Sequence, residues 1–262
     1  MYKTLINSIR DSLRLYQNHF VMLIGIALPF LVIIELFEAY YIATYLSTPF
    51  MLDDLTPLLI SHLTIKPFYN IAIIFYISSV ISSQSLSIKQ AWLLSVKFWP
   101  IYFLLYLLTN LLIGTGLMFY VIPGIFLFIR FSFAEFHLLL DKQSPLRAIK
   151  SSFTNTRKHF LILSAGFLIF AIVIFYFSSL LNTMFDIAEP EINFELISEV
   201  FQKKSSSESQ AVIDGKQLIK FPDFSLLKAI FSIIYNLALI IFTIFAFRIY
   251  HITKEQAEIR VA

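Results

Sequence analysis

The sequence predicts an all-α membrane protein: a bundle of six transmembrane helices with amphipathic helices lying along one membrane face. Hydrophobic residues make up 58% of the 262 positions and charged residues only 14%, where an ordinary soluble domain carries about 25% charged. The forty residues between Pro100 and Asp141 hold just two charged side chains, Arg130 and Glu135. Pro123-Gly124 divides that run into halves of about twenty residues, the length a helix needs to cross ~30 Å of hydrocarbon. Lysine and arginine, finally, are gathered on one set of flanks.

Taken in order, the chain opens with an amphipathic segment. Tyr2, Leu5, Ile6, Ile9, Leu13 and Tyr16 recur at helical spacing, with Lys3, Asn7, Arg10 and Arg14 opposite. The first span is 20–41. It is longer than the apolar region of a secretory leader and lacks a small-residue cleavage site, so it is expected to stay in place. The second span, 68–86, carries Ser78, Ser79, Ser82, Ser83 and Gln84, which either line a polar path or mark close helix packing.

A second amphipathic segment places Ile88, Trp92, Val96 and Trp99 beside Lys89 and Lys97. The third and fourth spans, 101–120 and 121–140, form a hairpin around Pro123-Gly124, with Gly114 and Gly116 making the third locally slim. A third amphipathic helix starts with Ser144 as N-cap and Pro145 at its first position. Its Leu146, Ile149 and Phe153 oppose Arg147, Lys150 and Arg157. The fifth and sixth spans are 160–181 and 226–250. The polar loop between them, 182–224, is expected to hold a short helix after Pro190 with Phe194, Ile197, Val200 and Phe201 on one face, then a return through 205–207 and Asp214-Gly215.

Thirteen basic residues lie on one set of flanks and six on the other, so both termini are expected in the cytoplasm. The chain reads as one integral membrane domain, 1–262. A threefold repeat of amphipathic helix plus hairpin, with units 1–86, 87–143 and 144–262, is one reading. Ser8-Ile9-Arg10-Asp11-Ser12 resembles Ala148-Ile149-Lys150-Ser151-Ser152, and Ser87, Ala91 and Ser95 keep the spacing of Ser144, Ala148 and Ser152. Chance similarity between basic segments is the other reading.

Charges inside spans are functional candidates by default, here Arg130, Glu35, Glu38, Glu135 and Arg248. Helical rise puts Arg130 and Glu35 at similar depth, so one expectation is an Arg130–Glu35 pair, with Glu38 as next partner. The other sets both glutamates at the outer interface and Arg130 against carbonyls and serine hydroxyls. Arg248 is the expected partner of Glu135, or else reaches the headgroups. Lys3, Arg10, Arg14, Arg147, Lys150, Arg157 and Lys158 are candidate contacts for anionic lipid headgroups, the expected partners.

The formal charge of +3 is too small to suggest nucleic acid, and the absence of cysteine excludes thiolate metal sites. The five histidines form no i,i+4 pair, and no HExxH, GxSxG or Walker motif is present. Neither cofactor, metal nor catalysis is expected.

The run Val121-Ile122-Pro123-Gly124-Ile125, Leu139-Leu140-Asp141-Lys142 and the basic helix with Ser151-Ser152 resembles the YciC-like family of bacterial inner-membrane proteins. Phe247-Arg248-Ile249-Tyr250 is similar to the Phe-Arg-Leu-Tyr-like end of that family's last span. The resemblance implies six spans over the whole chain and an inner-membrane location, and it implies no activity. Glu135 stands where that family usually has proline, and Arg130 where an apolar residue can occur. A looser similarity extends to other Pro-Gly-Ile membrane domains, some fused to glycerophosphodiester phosphodiesterases, many with an arginine near the position of Arg130. The resulting expectation is a non-catalytic protein supporting envelope or lipid homeostasis. The alternative is a small transporter or channel with a polar path near Arg130, Glu35 and the second-span serines.

Overall fold

A computed structural model describes residues 2–45, 56–84, 86–185, 191–192, 219–220 and 226–259. Among the described residues the elements are helices apart from a two-residue antiparallel pair, β1 (Glu191–Ile192) with β2 (Ile219–Lys220). The helices are α1 (Tyr2–Asn18), α2 (Phe20–Tyr45), α3 (Thr56–Ile81), α4 (Ile88–Phe119), α5 (Val121–Phe131), α6 (Ala134–Leu139) and α7 (Pro145–Asn155). A 3-10 turn (Thr156–His159) leads into α8 (Phe160–Phe185), and α9 (Leu226–Ile259) closes the bundle. Among the described residues, six stretches are long and apolar enough to cross a membrane: Phe20–Ile42, Thr56–Ile81, Ile88–Phe119, Val121–Leu139, Pro145–Met184 and Ala229–Glu255. By length and composition this is a multi-pass membrane protein. The helix expected after Pro190 and the return through 205–207 and Asp214-Gly215 lie outside the described residues.

Helix α3 is the centre. Ile71, Ala72, Ile73 and Ile74 are all buried, and a helix buried on consecutive positions is enclosed on every side. Helix α4 packs chiefly against α3 and also touches α2. Trp92 Nε1 donates to the Ile26 carbonyl on α2 (3.2 Å), and Trp99 Nε1 to the Thr64 carbonyl on α3 (2.9 Å). Phe30 stacks on Phe68, Phe68 on Trp99 and Trp99 on Phe103, with centroids 5.1 to 6.0 Å apart. Each indole is partly buried and satisfies its N–H.

Three boundaries differ from the sequence expectation. Helix α3 starts at Thr56 rather than 68, because His62 and Lys66 face acidic residues of α2 and the helix can continue past them. Span three and the amphipathic segment before it are one helix, α4, capped by a Ser87–Gln90 capping box and running through Pro100. The hairpin turns at Tyr120 (φ −162°, ψ 149°), not at Pro123-Gly124. Pro123 sits in the first turn of α5, where its missing N–H leaves no bond unmade.

Gly124 serves packing. A Cβ there would lie 2.8 Å from the Leu117 backbone nitrogen, and one on Gly116 3.0 Å from the Gly124 Cα. The glycines let α4 and α5 touch along their backbones. Gly124→Ala is expected to cost about 1–3 kcal/mol, the usual range for overpacking. Thermal unfolding in detergent checks this; a melting temperature equal to wild type refutes the close approach.

Candidate functional site

The span expected at 121–140 is broken in two, and the break builds the first polar site. Helix α5 ends at Phe131 and α6 begins at Ala134, which leaves backbone groups without helical partners. Ser152 of α7 satisfies two of them: its Oγ donates to the Arg130 carbonyl (2.7 Å) and accepts from the Phe133 N–H (3.1 Å). Thr156 Oγ1 also donates to the Arg130 carbonyl (3.2 Å). These bonds fix α7 against the break. They turn Phe153 so that its ring centroid lies 4.0 Å from the Arg130 guanidinium carbon, with Phe126 at 5.7 Å. Arg130 is 5% exposed, and its Nε has no hydrogen-bond partner. The charge of Arg157, another cation, acts on it.

Neither expectation for Arg130 holds. It does not pair with Glu35, and the serine and threonine hydroxyls reach its carbonyl rather than its guanidinium. Glu35 and Glu38 sit instead in a second cluster, with His62 and Lys66 of α3 and Ser232 of α9. His62 Nε2 bonds Glu38 Oε1, Ser232 Oγ donates to Glu35 Oε1, and Lys66 lies in the field of both carboxylates. The separation follows from the fold: Arg130 ends a short helix docked on α7, whereas Glu35 lies beside the first turns of α9.

His62, Lys66 and Asn70 recur every fourth residue on α3, one stripe of that helix. Asn70 lies beside the Tyr102 hydroxyl, and Glu135 lies beside Tyr102 and Tyr106 of α4. Glu135 is therefore among tyrosines and not against Arg248, its expected partner. Arg248 Nη2 donates to Asp11 Oδ2 of α1 (2.8 Å). Two serines of the second span are spent locally: Ser79 Oγ donates to the Tyr76 carbonyl and Ser82 Oγ to the Ser78 carbonyl.

A third cluster was not foreseen. Asp141, just past α6, accepts from Lys254 Nζ and the Tyr250 hydroxyl of α9, each at 2.7 Å, and bonds His137 Nδ1 at 2.7 Å. Asn155 Nδ2 lies 3.1 Å from His137 Nε2, so α6, α7 and α9 meet here. Burial would raise the Asp141 pKa, but the bonds from Lys254, Tyr250 and His137 outweigh it and hold the carboxyl below its ordinary 3.8. The i,i+4 spacing of His137 and Asp141 was the available signal.

All seven candidate lipid contacts, Lys3, Arg10, Arg14, Arg147, Lys150, Arg157 and Lys158, are exposed. Helices α1 and α7 dock through small residues instead: Ser8, Ser12, Ala148 and Ser152 are buried. Large apolar side chains on the same helices, Ile6, Leu13, Leu146 and Phe153, stay exposed beside the cations.

The model of an uncharacterised protein family, UPF0259, matches residues 48–207. The chain belongs to this family. The UPF0259 match takes in α3 through α8, and with them Arg130, Ser152 and Asp141. No curated protein and no solved structure matches the chain significantly.

The Asp141 cluster makes a pH prediction. A carboxyl whose folded pKa is depressed contributes stability that is complete above its unfolded value and is lost as pH falls through the folded one. Wild type should therefore lose this contribution only below about pH 3.8. Asp141→Asn should lose about 1–3 kcal/mol at pH 7 and show a flatter decline in acid. Melting curves of both proteins across pH test it; parallel curves would mean that the cluster adds nothing.

Proposed function

We propose that the protein is a non-catalytic, multi-pass protein of the bacterial cytoplasmic membrane, both termini in the cytoplasm, that supports envelope or lipid homeostasis by binding anionic lipid. The observation that carries this reading is the way α7 is mounted. Its small face is fixed to the bundle, while Arg147, Lys150 and Lys158 stand exposed beside Leu146, 73% exposed, and Phe153. Cations next to exposed apolar side chains suit the boundary between anionic headgroups and acyl chains. The YciC-like resemblance and the bias of lysine and arginine support the orientation.

The threefold repeat belongs to the same proposal. Ser12, Ser95 and Ser152, with Ser8, Ala91 and Ala148 four residues before them, are all buried, and this shared docking face supports one unit used three times.

A juxtamembrane cation contributes ~1 kcal/mol near an anionic surface. Reversing Arg147, Lys150 and Lys158 to glutamate together should abolish any enrichment of anionic over zwitterionic lipid co-purifying with the protein. Unchanged enrichment in a folded triple variant sinks the reading.

The α3 stripe favours a second reading, a proton or small-cation path. It would run from Glu38 and His62 past Lys66 to Asn70, Tyr102 and Glu135, away from Arg130 and the second-span serines. Wild-type liposomes should then dissipate a pH gradient faster than protein-free ones, and Lys66→Met should restore the slow rate. Equal rates with and without protein dispose of it.

A further inference from the structure

We propose that Arg130 and Arg157 form a site for the phosphate of one phospholipid, whose acyl chains lie along α5 and α8. The proposal rests on the lipid-contact reading and deepens it from a charged surface to a single bound molecule.

The starting point is an uncompensated charge. Among the described residues, no carboxylate forms an ion pair with Arg130, although it is 95% buried by its 5% exposure and its Nε lacks a partner. Stacking on Phe153 attracts the guanidinium but does not neutralise it. Arg157 adds a second positive charge nearby: it follows Thr156, whose hydroxyl bonds the Arg130 carbonyl, and its charge acts on Arg130. An anion between them balances both. Phosphate suits a guanidinium best, since its oxygens match the planar fork of N–H donors.

The site is built rather than incidental. Ser152 and Thr156 lock onto the Arg130 carbonyl; Phe153, next to Ser152, lies with its ring on the guanidinium, and Arg157 directly follows Thr156 in the chain. Arg157 is exposed whereas Arg130 is buried, so of the two cations Arg157 is the one open to a phosphate at the surface.

The surroundings identify a lipid as the occupant. Phe126 contacts Arg130 and also the Phe160 ring (5.4 Å), and Phe128 contacts Phe167 (5.4 Å). Phe126, Phe128, Leu161 and Leu168 are exposed along these two helices. An apolar wall thus begins at the cation pair and follows α5 and α8. A free phosphate would leave that wall unused, whereas acyl chains cover it.

The test is native mass spectrometry of the full chain, delipidated in mild detergent and titrated with phosphatidylglycerol, with diacylglycerol of the same chains, and with inorganic phosphate. Wild type should bind one phosphatidylglycerol roughly tenfold more tightly than diacylglycerol, the order of one charge-assisted contact. Arg130→Gln should lose that preference. Arg157→Gln changes an exposed side chain and should lower affinity by about fivefold or more by the same reckoning, which keeps the proposal testable if Arg130→Gln does not fold. Equal binding of phosphatidylglycerol and diacylglycerol, or an Arg157→Gln variant that binds as wild type, overturns the site. Inorganic phosphate binding as tightly as the phospholipid overturns the lipid assignment. The Arg147, Lys150 and Lys158 reversals leave both site arginines in place. Loss of lipid enrichment in that triple variant with the single bound lipid retained therefore separates the broad surface from the site.

Discussion

The hydroxyl of Ser152 holds the central arrangement together. A helix broken inside a membrane leaves carbonyls and N–H groups that water cannot reach, and such groups must be satisfied within the protein. One serine, donating to one side of the break and accepting from the other, does this for the gap between α5 and α6. Its position on α7 means that the repair also docks the basic helix. The orientation of Phe153, the confinement of Arg130 and the exposure of the cations on α7 all follow from that pair of bonds.

Charge is handled in two contrasting ways across the bundle. Glu38 with His62, and Asp141 with Lys254, Tyr250 and His137, are paired within the chain and tie distant helices together. Arg130 is flanked by two aromatic rings and has another cation acting on it. Paired charges serve as ties, because losing either partner strands the other in a poor solvent. An arginine without such a partner is available to something that arrives from outside.

The helical class and the number of spans were legible in the sequence because both depend on composition averaged over some twenty residues. Pro145 behind Ser144 placed the start of α7 for the same local reason, although the Ser144 side chain makes no capping bond. Partnerships were not legible. Depth along a helix, counted in residues, cannot say which helix faces which, so it suggests pairing Arg130 with Glu35 and Arg248 with Glu135, pairs that the structure does not form. The start of α3 was missed because His62 and Lys66 read as a loop. They are tolerated within a span only because α2 supplies acids opposite them, a fact of tertiary structure. The Asp141 cluster joins residues more than a hundred positions apart, and no window of sequence contains it.

The clamps on α9 bear on how the chain assembles. Asp11 on the first helix and Asp141 after the sixth both bond to side chains of the last helix, Arg248 and Lys254. During synthesis each carboxylate waits for a partner that emerges from the ribosome much later. The earlier helices can therefore enter the bilayer in sequence and tie to one another, yet the two ties that run to Arg248 and Lys254 close only when α9 arrives. Insertion is progressive, and completion of the bundle is a single late event.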